Sequence, residues 1–102
     1  MYSPLDGPSS QGASLVTSSV VFRVKLGATE QEDRQVVSIM PLTGNIWVMF
    51  GDGITTPNAV TVKDRGFPQL KGALRTYEAS NRQFIFIVAD SVTTDVRFAE
   101  RG

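Results

Sequence analysis

The chain has 102 residues, room for one domain with one hydrophobic core. Its ten basic and ten acidic residues cancel and are scattered along the sequence, which argues against nucleic-acid binding and against attraction to an anionic membrane. The sequence contains no cysteine and no histidine, which excludes disulfides, thiolate metal sites and the side chain that most readily exchanges protons near neutral pH.

The first 19 residues form a polar head rich in glycine, proline and serine, in which a helix or strand would not propagate. We predict an extended N-terminal arm over residues 1–19 and a β domain over residues 20–102. Two interpretations of the arm stay open: a floppy terminus, and a segment that becomes ordered against a neighbouring subunit. In the second case the anchoring residues are Tyr2, Pro4, Leu5 and Leu15. The start shows no signal-peptide pattern, and no apolar run approaches the roughly 20 residues of a membrane helix.

The first half of the domain predicts three strands. Hydrophobic residues alternate with polar ones from Val20 to Leu26, which is typical of a strand with one buried face. A second strand is predicted from Arg34 to Leu42 and a third from Ile46 to Phe50. The short connection between them, residues 43–45, predicts that they form a hairpin.

The second half predicts four more strands. They cover Ala59 to Lys63, Ala73 to Ala79, Gln83 to Ala89 and Thr94 to Glu100, and a turn is predicted over residues 64–68. The segment 69–79 also fits the spacing of an amphipathic helix, so a short helix remains the alternative there. Seven short strands predict an all-β fold, either a compact antiparallel β-sandwich or a flattened β-barrel.

Two strands carry apolar residues on both faces, although a two-layer domain provides an interior for only one face. We therefore predict that Trp47, Met49, Ile85 and Ile87 form an oligomer interface. The alternative is that a bulge or barrel closure buries both faces within one chain.

No motif indicates catalysis, a cofactor or a metal, and we predict a protein that is not an enzyme. Glu30, Glu32 and Asp33 lie in one loop and are interpreted as a solvated turn. Asp95 and Arg97 lie on the same side of a strand and predict a surface ion pair.

Four segments of the second half resemble small β-structured virion proteins of tailed bacteriophages. They are residues 47–51 (WVMFG), 55–60 (TTPNAV), 84–89 (FIFIVA) and 94–100 (TDVRFAE). The resemblance implies a capsid decoration (cement) protein or another head or tail accessory protein, made in the host cytoplasm and located on the capsid surface. It also implies a homo-oligomer, a trimer rather than a dimer, bound to the major capsid protein or another virion protein.

The alternative function is a carbohydrate- or receptor-binding module of a tail fibre or adhesin. In that case Trp47, Tyr77 or Phe67 would stand exposed beside acids and amides, where an aromatic ring can stack on a sugar.

Overall fold

A computed structural model describes residues 9–25, 30–51 and 55–102 of the chain. These residues form two antiparallel four-stranded sheets packed face to face, so the predicted all-β sandwich is confirmed. Sheet I has the strand order β1-β8-β3-β6, and sheet II has the order β2-β7-β4-β5. The strands are β1 (Ser9–Val16), β2 (Phe22–Arg23), β3 (Val36–Pro41), β4 (Ile46–Gly51), β5 (Phe67–Gln69), β6 (Arg75–Glu78), β7 (Phe84–Ala89) and β8 (Thr94–Arg101).

The main core lies between the two sheets. Side chains alternate between the two faces of each strand, so β8 directs Val96 and Phe98 inward while Arg97 points outward. From the facing sheet, Ile85 and Ile87 of β7 are completely buried in the same core. The inward rows of β3, β4, β7 and β8 therefore meet in one apolar core, to which β1 contributes Val16.

A second, smaller core covers the outer face of sheet II. Helix α1 (Ala59–Arg65) lies across this face and buries Val62 against Phe84, Phe86 and Val88. Trp47 and Met49 pack against the same cluster and are half-buried. All six residues of β7 are therefore buried, three in each core.

The prediction of a strand from Ala59 to Lys63 is wrong, because this segment is helix α1. Its valines favour strands, but local capping favours a helix. The side chain of Asn58 accepts a hydrogen bond of 2.8 Å from the Thr61 N–H, and the Gly66 N–H donates to the Val62 carbonyl. A Cβ at Gly66 would lie 2.5 Å from the carbonyl oxygens of Val48 and Val62, so the sharp end of the helix requires glycine.

The predicted hairpin between the second and third strands is also wrong. β3 belongs to sheet I and β4 to sheet II, so residues 42–45 cross between the sheets instead of reversing within one. Of the strand predicted from Val20 to Leu26, only Phe22–Arg23 pairs within the described residues 20–25, and Leu26 lies outside them. Phe22 and Val24 face the main core as predicted, whereas Val20 is 67% exposed. The segment 73–79 contains strand β6, not a helix, whereas the predicted turn at 64–68 overlaps β5.

The predicted arm does not extend to residue 19. Residues 9–16 form β1, which pairs with β8 along its whole length from Ser9↔Arg101 to Val16↔Thr94. Glycine and serine discourage a strand in isolation, but the neighbouring strand supplies the hydrogen bonds. Of the proposed anchors, Leu15 lies on this strand, whereas Tyr2, Pro4 and Leu5 lie outside the described residues.

Candidate functional site

The outer face of sheet I is the main open surface of the described fold. The corresponding face of sheet II is covered by α1, but no described helix lies on sheet I. Residues in register across its strands form rows, of which the central one is Gln11–Ala99–Ser38–Thr76. We call this surface the open face.

A shallow groove of about 510 Å³ runs over the open face. Its floor is made of small residues because Ala13, Ala99 and Ser38 meet there on adjacent strands. Met40 and Leu74 form apolar walls, and Leu74 is exposed. The groove therefore has the size and shape to receive side chains of a partner.

Two arginines of β8 border the groove. Arg97 forms an ion pair with Asp95, 3.2 Å from Nη2 to Oδ2, which confirms the predicted surface pair. The hydrogen bonds to this carboxylate raise the pKa of Arg97, which is therefore charged at any physiological pH. Arg101 forms no salt bridge with another described residue. The groove thus combines small and apolar residues with two arginines at its border, one of them paired with Asp95.

At one end of the sandwich, Arg34 is buried and neutralised by Glu100. The two side chains are almost fully excluded from solvent, with 3.0 Å between Nη1 and Oε2. Arg34 also donates to main-chain carbonyls at the ends of several strands, namely those of Val24, Ala79, Ser80 and Gln83. These contacts join segments of both sheets, and the role of the pair is structural.

A second ion pair, between Arg23 and Glu30, lies near the first. Arg23 donates from Nε and Nη2 to the two carboxylate oxygens of Glu30, and its guanidinium stacks 4.4 Å from the ring centre of Phe84. Burial by itself would raise the pKa of Glu30, but the hydrogen bonds it accepts and the charges of Arg23 and Arg34 together lower it. The interpretation of Glu30 as part of a solvated turn is therefore wrong, since it is 4% exposed.

The sequence contained only a weak signal for this ionic cluster. Glu32 and Asp33, the neighbours of Glu30, are exposed as predicted. Arg34 adjoins β3, yet its partner Glu100 is 66 residues away in the sequence. The one available signal is that Glu100 has the same parity as the buried residues Val96 and Phe98 of the last strand. A carboxylate on the buried face of a strand needs a partner.

The aromatic residues of the carbohydrate-binding alternative do not converge on one surface. Tyr77, Phe67 and Phe50 pack against one another at ring-centre distances of 5.4–5.9 Å, and the Tyr77 hydroxyl donates to buried Gln69. Trp47 lies on the opposite face of sheet II, where its indole N–H donates to Asp90 at 2.8 Å. These rings are used for packing, and no shared stacking platform is formed.

The predicted oligomer interface is corrected by the position of α1. Ile85 and Ile87 are 0% exposed in the main core, so neither can contact a second subunit. Trp47 and Met49 pack in the smaller core with α1, because the chain's own helix provides the cover that was expected from a neighbouring subunit. Sequence reasoning missed the open face, whose alternating small and polar residues carry no hydrophobic signal.

Within the described residues, no group of three or more acidic side chains is placed to hold a metal ion. None of the described helices is long and apolar enough to span a membrane. Comparisons of the chain with known protein families, with curated proteins and with solved structures gave no match.

Proposed function

We propose that this chain is a structural protein of a tailed-bacteriophage virion, a capsid decoration (cement) protein that binds the major capsid protein and has no enzymatic activity. In this proposal the open face contacts the shell. Association buries apolar surface of the shell and of the protein together, which stabilises the assembled particle by mass action without a covalent step.

The observation that carries the proposal is the unequal treatment of the two outer faces. Helix α1 covers sheet II although it contains only seven residues, whereas none of the residues that the structure describes lies over the outer face of sheet I. The exposed leucines Leu15 and Leu74 lie at this open side of the molecule. An uncovered sheet with a groove and protruding apolar side chains is typical of a surface that binds a protein partner.

The ionic groups also support a structural function. Among the described residues, every buried side-chain nitrogen or oxygen has a hydrogen-bond partner. The charged groups with the deepest burial, Arg34 and Glu100, are engaged with each other and with strand ends. Active sites commonly keep polar groups poised for a substrate, whereas these groups are already satisfied by the fold.

The proposal is tested by co-sedimentation of the purified chain with empty shells assembled from the major capsid protein encoded in the same genome. We expect saturable binding at a fixed ratio per shell subunit. Ala99→Arg, which fills the groove floor, should weaken binding at least about tenfold. Val60→Arg is the matched control, because Val60 is an exposed residue of α1 on the opposite side of the sandwich.

Absence of binding by the unaltered chain would refute the proposed function. Equal binding by Ala99→Arg would refute the assignment of the open face. Circular dichroism establishes that both variants are folded.

The N-terminal anchors are tested by removing residues 1–8, which include Tyr2, Pro4 and Leu5. Removing residues 1–19 would also delete β1 and disturb sheet I, so the shorter deletion is the correct one. We expect the shortened chain to melt at the same temperature and to bind shells more weakly. Unchanged shell binding would show that these three residues are not anchors.

A further inference from the structure

Strand β1 is an edge strand of sheet I whose own sequence lacks the features that usually protect an edge. The two sheets have four edge strands, β1 and β6 in sheet I and β2 and β5 in sheet II. β2 has two residues, β5 has three including Pro68, and β6 has four including Arg75 and Glu78. Shortness, proline and charge are the usual devices that prevent an edge from pairing with another chain. β1 has eight residues and none of these devices, since its sequence is SSQGASLV.

The hydrogen-bonding groups of β1 alternate between β8 and the free edge. Asp95 of β8 directs its main chain toward sheet neighbour β3, since its N–H donates to Thr43 and its carbonyl accepts from the Leu42 N–H. The main-chain N–H and C=O groups of the even-numbered residues of β8 therefore point toward β1. Because Phe98 lies opposite Gly12, their hydrogen-bond partners are the even-numbered residues of β1.

The odd-numbered residues of β1 are consequently the ones that face outward along the edge. Within the part of the chain that the structure describes, the main-chain N–H and C=O of Gln11, Ala13 and Leu15 form no hydrogen bond to another backbone group. The side chains of all three are exposed, and Leu15 is 72% exposed. Nothing described in the fold covers this edge.

We propose that β1 pairs with β1 of a second copy of this chain, antiparallel and across a two-fold axis. Sheet I of one copy then joins sheet I of the other, and together they form one continuous sheet of eight strands with the two β1 strands at its centre. The dimer that results differs from the trimer that the resemblance implies.

A second copy is the occupant that this edge fits best. β1 carries no charge, so a two-fold axis brings no like charges opposite each other, and the chain as a whole has a formal net charge of zero. Self-pairing across a two-fold axis is also a closed arrangement. The joined sheet has strand β6 at both of its edges, and β6 is short and carries two charged residues, so no long edge of this sheet stays exposed.

The register follows from the exposed leucine. Opposed side chains continue the same face of sheet I in both copies only when residues of equal parity are opposed. The two-fold axis therefore passes midway between the two copies of one residue near the middle of the strand. With Ala13 opposite Ala13 of the second copy, Leu15 lies opposite Gln11 and diagonal to Ala13 of that copy. The exposed Leu15 side chain is thereby covered, and Gln11, Ala13 and Leu15 each pair with an outward-facing residue.

Single cysteines test the register directly because the natural chain has none. In Ala13→Cys the two cysteines face each other at a Cα separation of about 5.5 Å, which a disulfide can span. In Leu15→Cys, a control at another exposed residue of the same strand, the two cysteines lie four residues apart along the strands, about 14 Å. Under mild oxidation we expect a disulfide-linked dimer from Ala13→Cys, little from Leu15→Cys, and a mixed dimer when Gln11→Cys and Leu15→Cys are combined.

Association without a cross-link is measured by sedimentation velocity over a concentration series. We expect a monomer–dimer equilibrium for the unaltered chain. Ala13→Pro should weaken the dimer at least about tenfold, because it removes an N–H that faces the free edge, where proline is tolerated without loss of the fold. Ala13→Ser keeps this N–H and changes only the side chain, so it should weaken the dimer far less than Ala13→Pro does. Circular dichroism confirms that both variants fold.

A strictly monomeric chain at about 1 mM, or equal cross-linking of Ala13→Cys and Leu15→Cys, would overturn the proposal. The proposal is independent of the assignment to a virion, because shell binding by the open face is measured separately. If the chain dimerises but does not bind capsid shells, the proposed function is refuted and this inference stands. If it binds shells but stays monomeric, this inference is refuted and the proposed function stands.

Discussion

Replacing Arg34 by methionine should destabilise the domain more than any other single charge removal considered for this chain. The substitution retains much of the side-chain volume but removes the guanidinium. Glu100 then keeps a carboxylate in a site where its side chain is 1% exposed, and carbonyl groups at several strand ends lose their donor. The effect is expected to come from a buried carboxylate that has lost its counter-ion and from carbonyls that have lost a donor, and not from a cavity.

The magnitude follows from the burial of the pair. Removing one partner of a buried ion pair destabilises a protein by about 3–5 kcal/mol, because the remaining charge is not solvated. A domain of this size is stable by about 5–15 kcal/mol in total. With a shift of about 4 °C per kcal/mol as a lower value for small domains, the melting temperature should fall by about 12–20 °C.

The assay is urea unfolding monitored by Trp47 fluorescence, together with a thermal melt. Arg97→Met is the matched control. Its ion pair with Asp95 has nearly the same length, 3.2 Å against 3.0 Å, but the Arg97 side chain is 57% exposed. Solvent already screens this exposed pair, so its loss should leave the unfolding midpoint almost unchanged.

A double variant separates the effect of charge from that of the hydrogen bonds. Adding Glu100→Gln to Arg34→Met removes the buried negative charge but retains an oxygen for the Gln31 N–H, which donates to Glu100 at 3.1 Å. We expect the double variant to recover part of the lost stability. If Arg34→Met shifts the midpoint no more than Arg97→Met does, or if the double variant is the least stable, the reasoning from desolvation is wrong.

Three further predictions concern the second ion pair and helix α1. Because the pKa of Glu30 is lower in the folded state than its ordinary value of 4.5, its contribution to stability is complete above that value and is lost as the pH falls through the folded-state pKa. Glu30→Gln should therefore flatten the acid limb of a plot of unfolding free energy against pH, and an unchanged slope would contradict this. Val62→Ala should destabilise by about 2 kcal/mol in urea unfolding, whereas Val60→Ala on the exposed side of the same helix should stay within about 0.5 kcal/mol. Asn58→Ala, which removes the helix cap, should lower the unfolding free energy by about 1 kcal/mol, and a loss equal to that of Val62→Ala would show that the helix depends on its cap more than on packing.

The positions of β4 and β8 could be read from local pattern, whereas β1 was missed. β4 and β8 lie where alternation and flanking turns placed them, because the period of two is a property of adjacent residues. Helix α1 could also have been found. Asn58 before it, Lys63 and Arg65 in its last turn and Gly66 after it are the usual signals of a helix start and end, although its valines favoured a strand.

The candidate sites were less accessible to sequence reasoning. The double-faced strands correctly indicated that β4 and β7 need cover on both faces, but the identity of the cover was wrong. A sequence shows that Phe86 and Ile87 must both be buried, not whether a helix of the same chain or another subunit buries them. The open face gave no signal, since Ala13, Ser38 and Ala99 are unremarkable until register brings them together.

By itself the sequence determined the all-β fold class, because the alternation of apolar and polar residues is a property of neighbouring residues. It also determined the absence of thiol and imidazole chemistry, because that depends on composition alone. Tertiary structure decided which strands share a sheet, that residues 9–16 are an edge strand, and that Arg34 meets Glu100 across 66 positions. Those outcomes depend on contacts between segments distant in the chain. Pairing energies of this kind are set by what each strand packs against and not by its own residues alone.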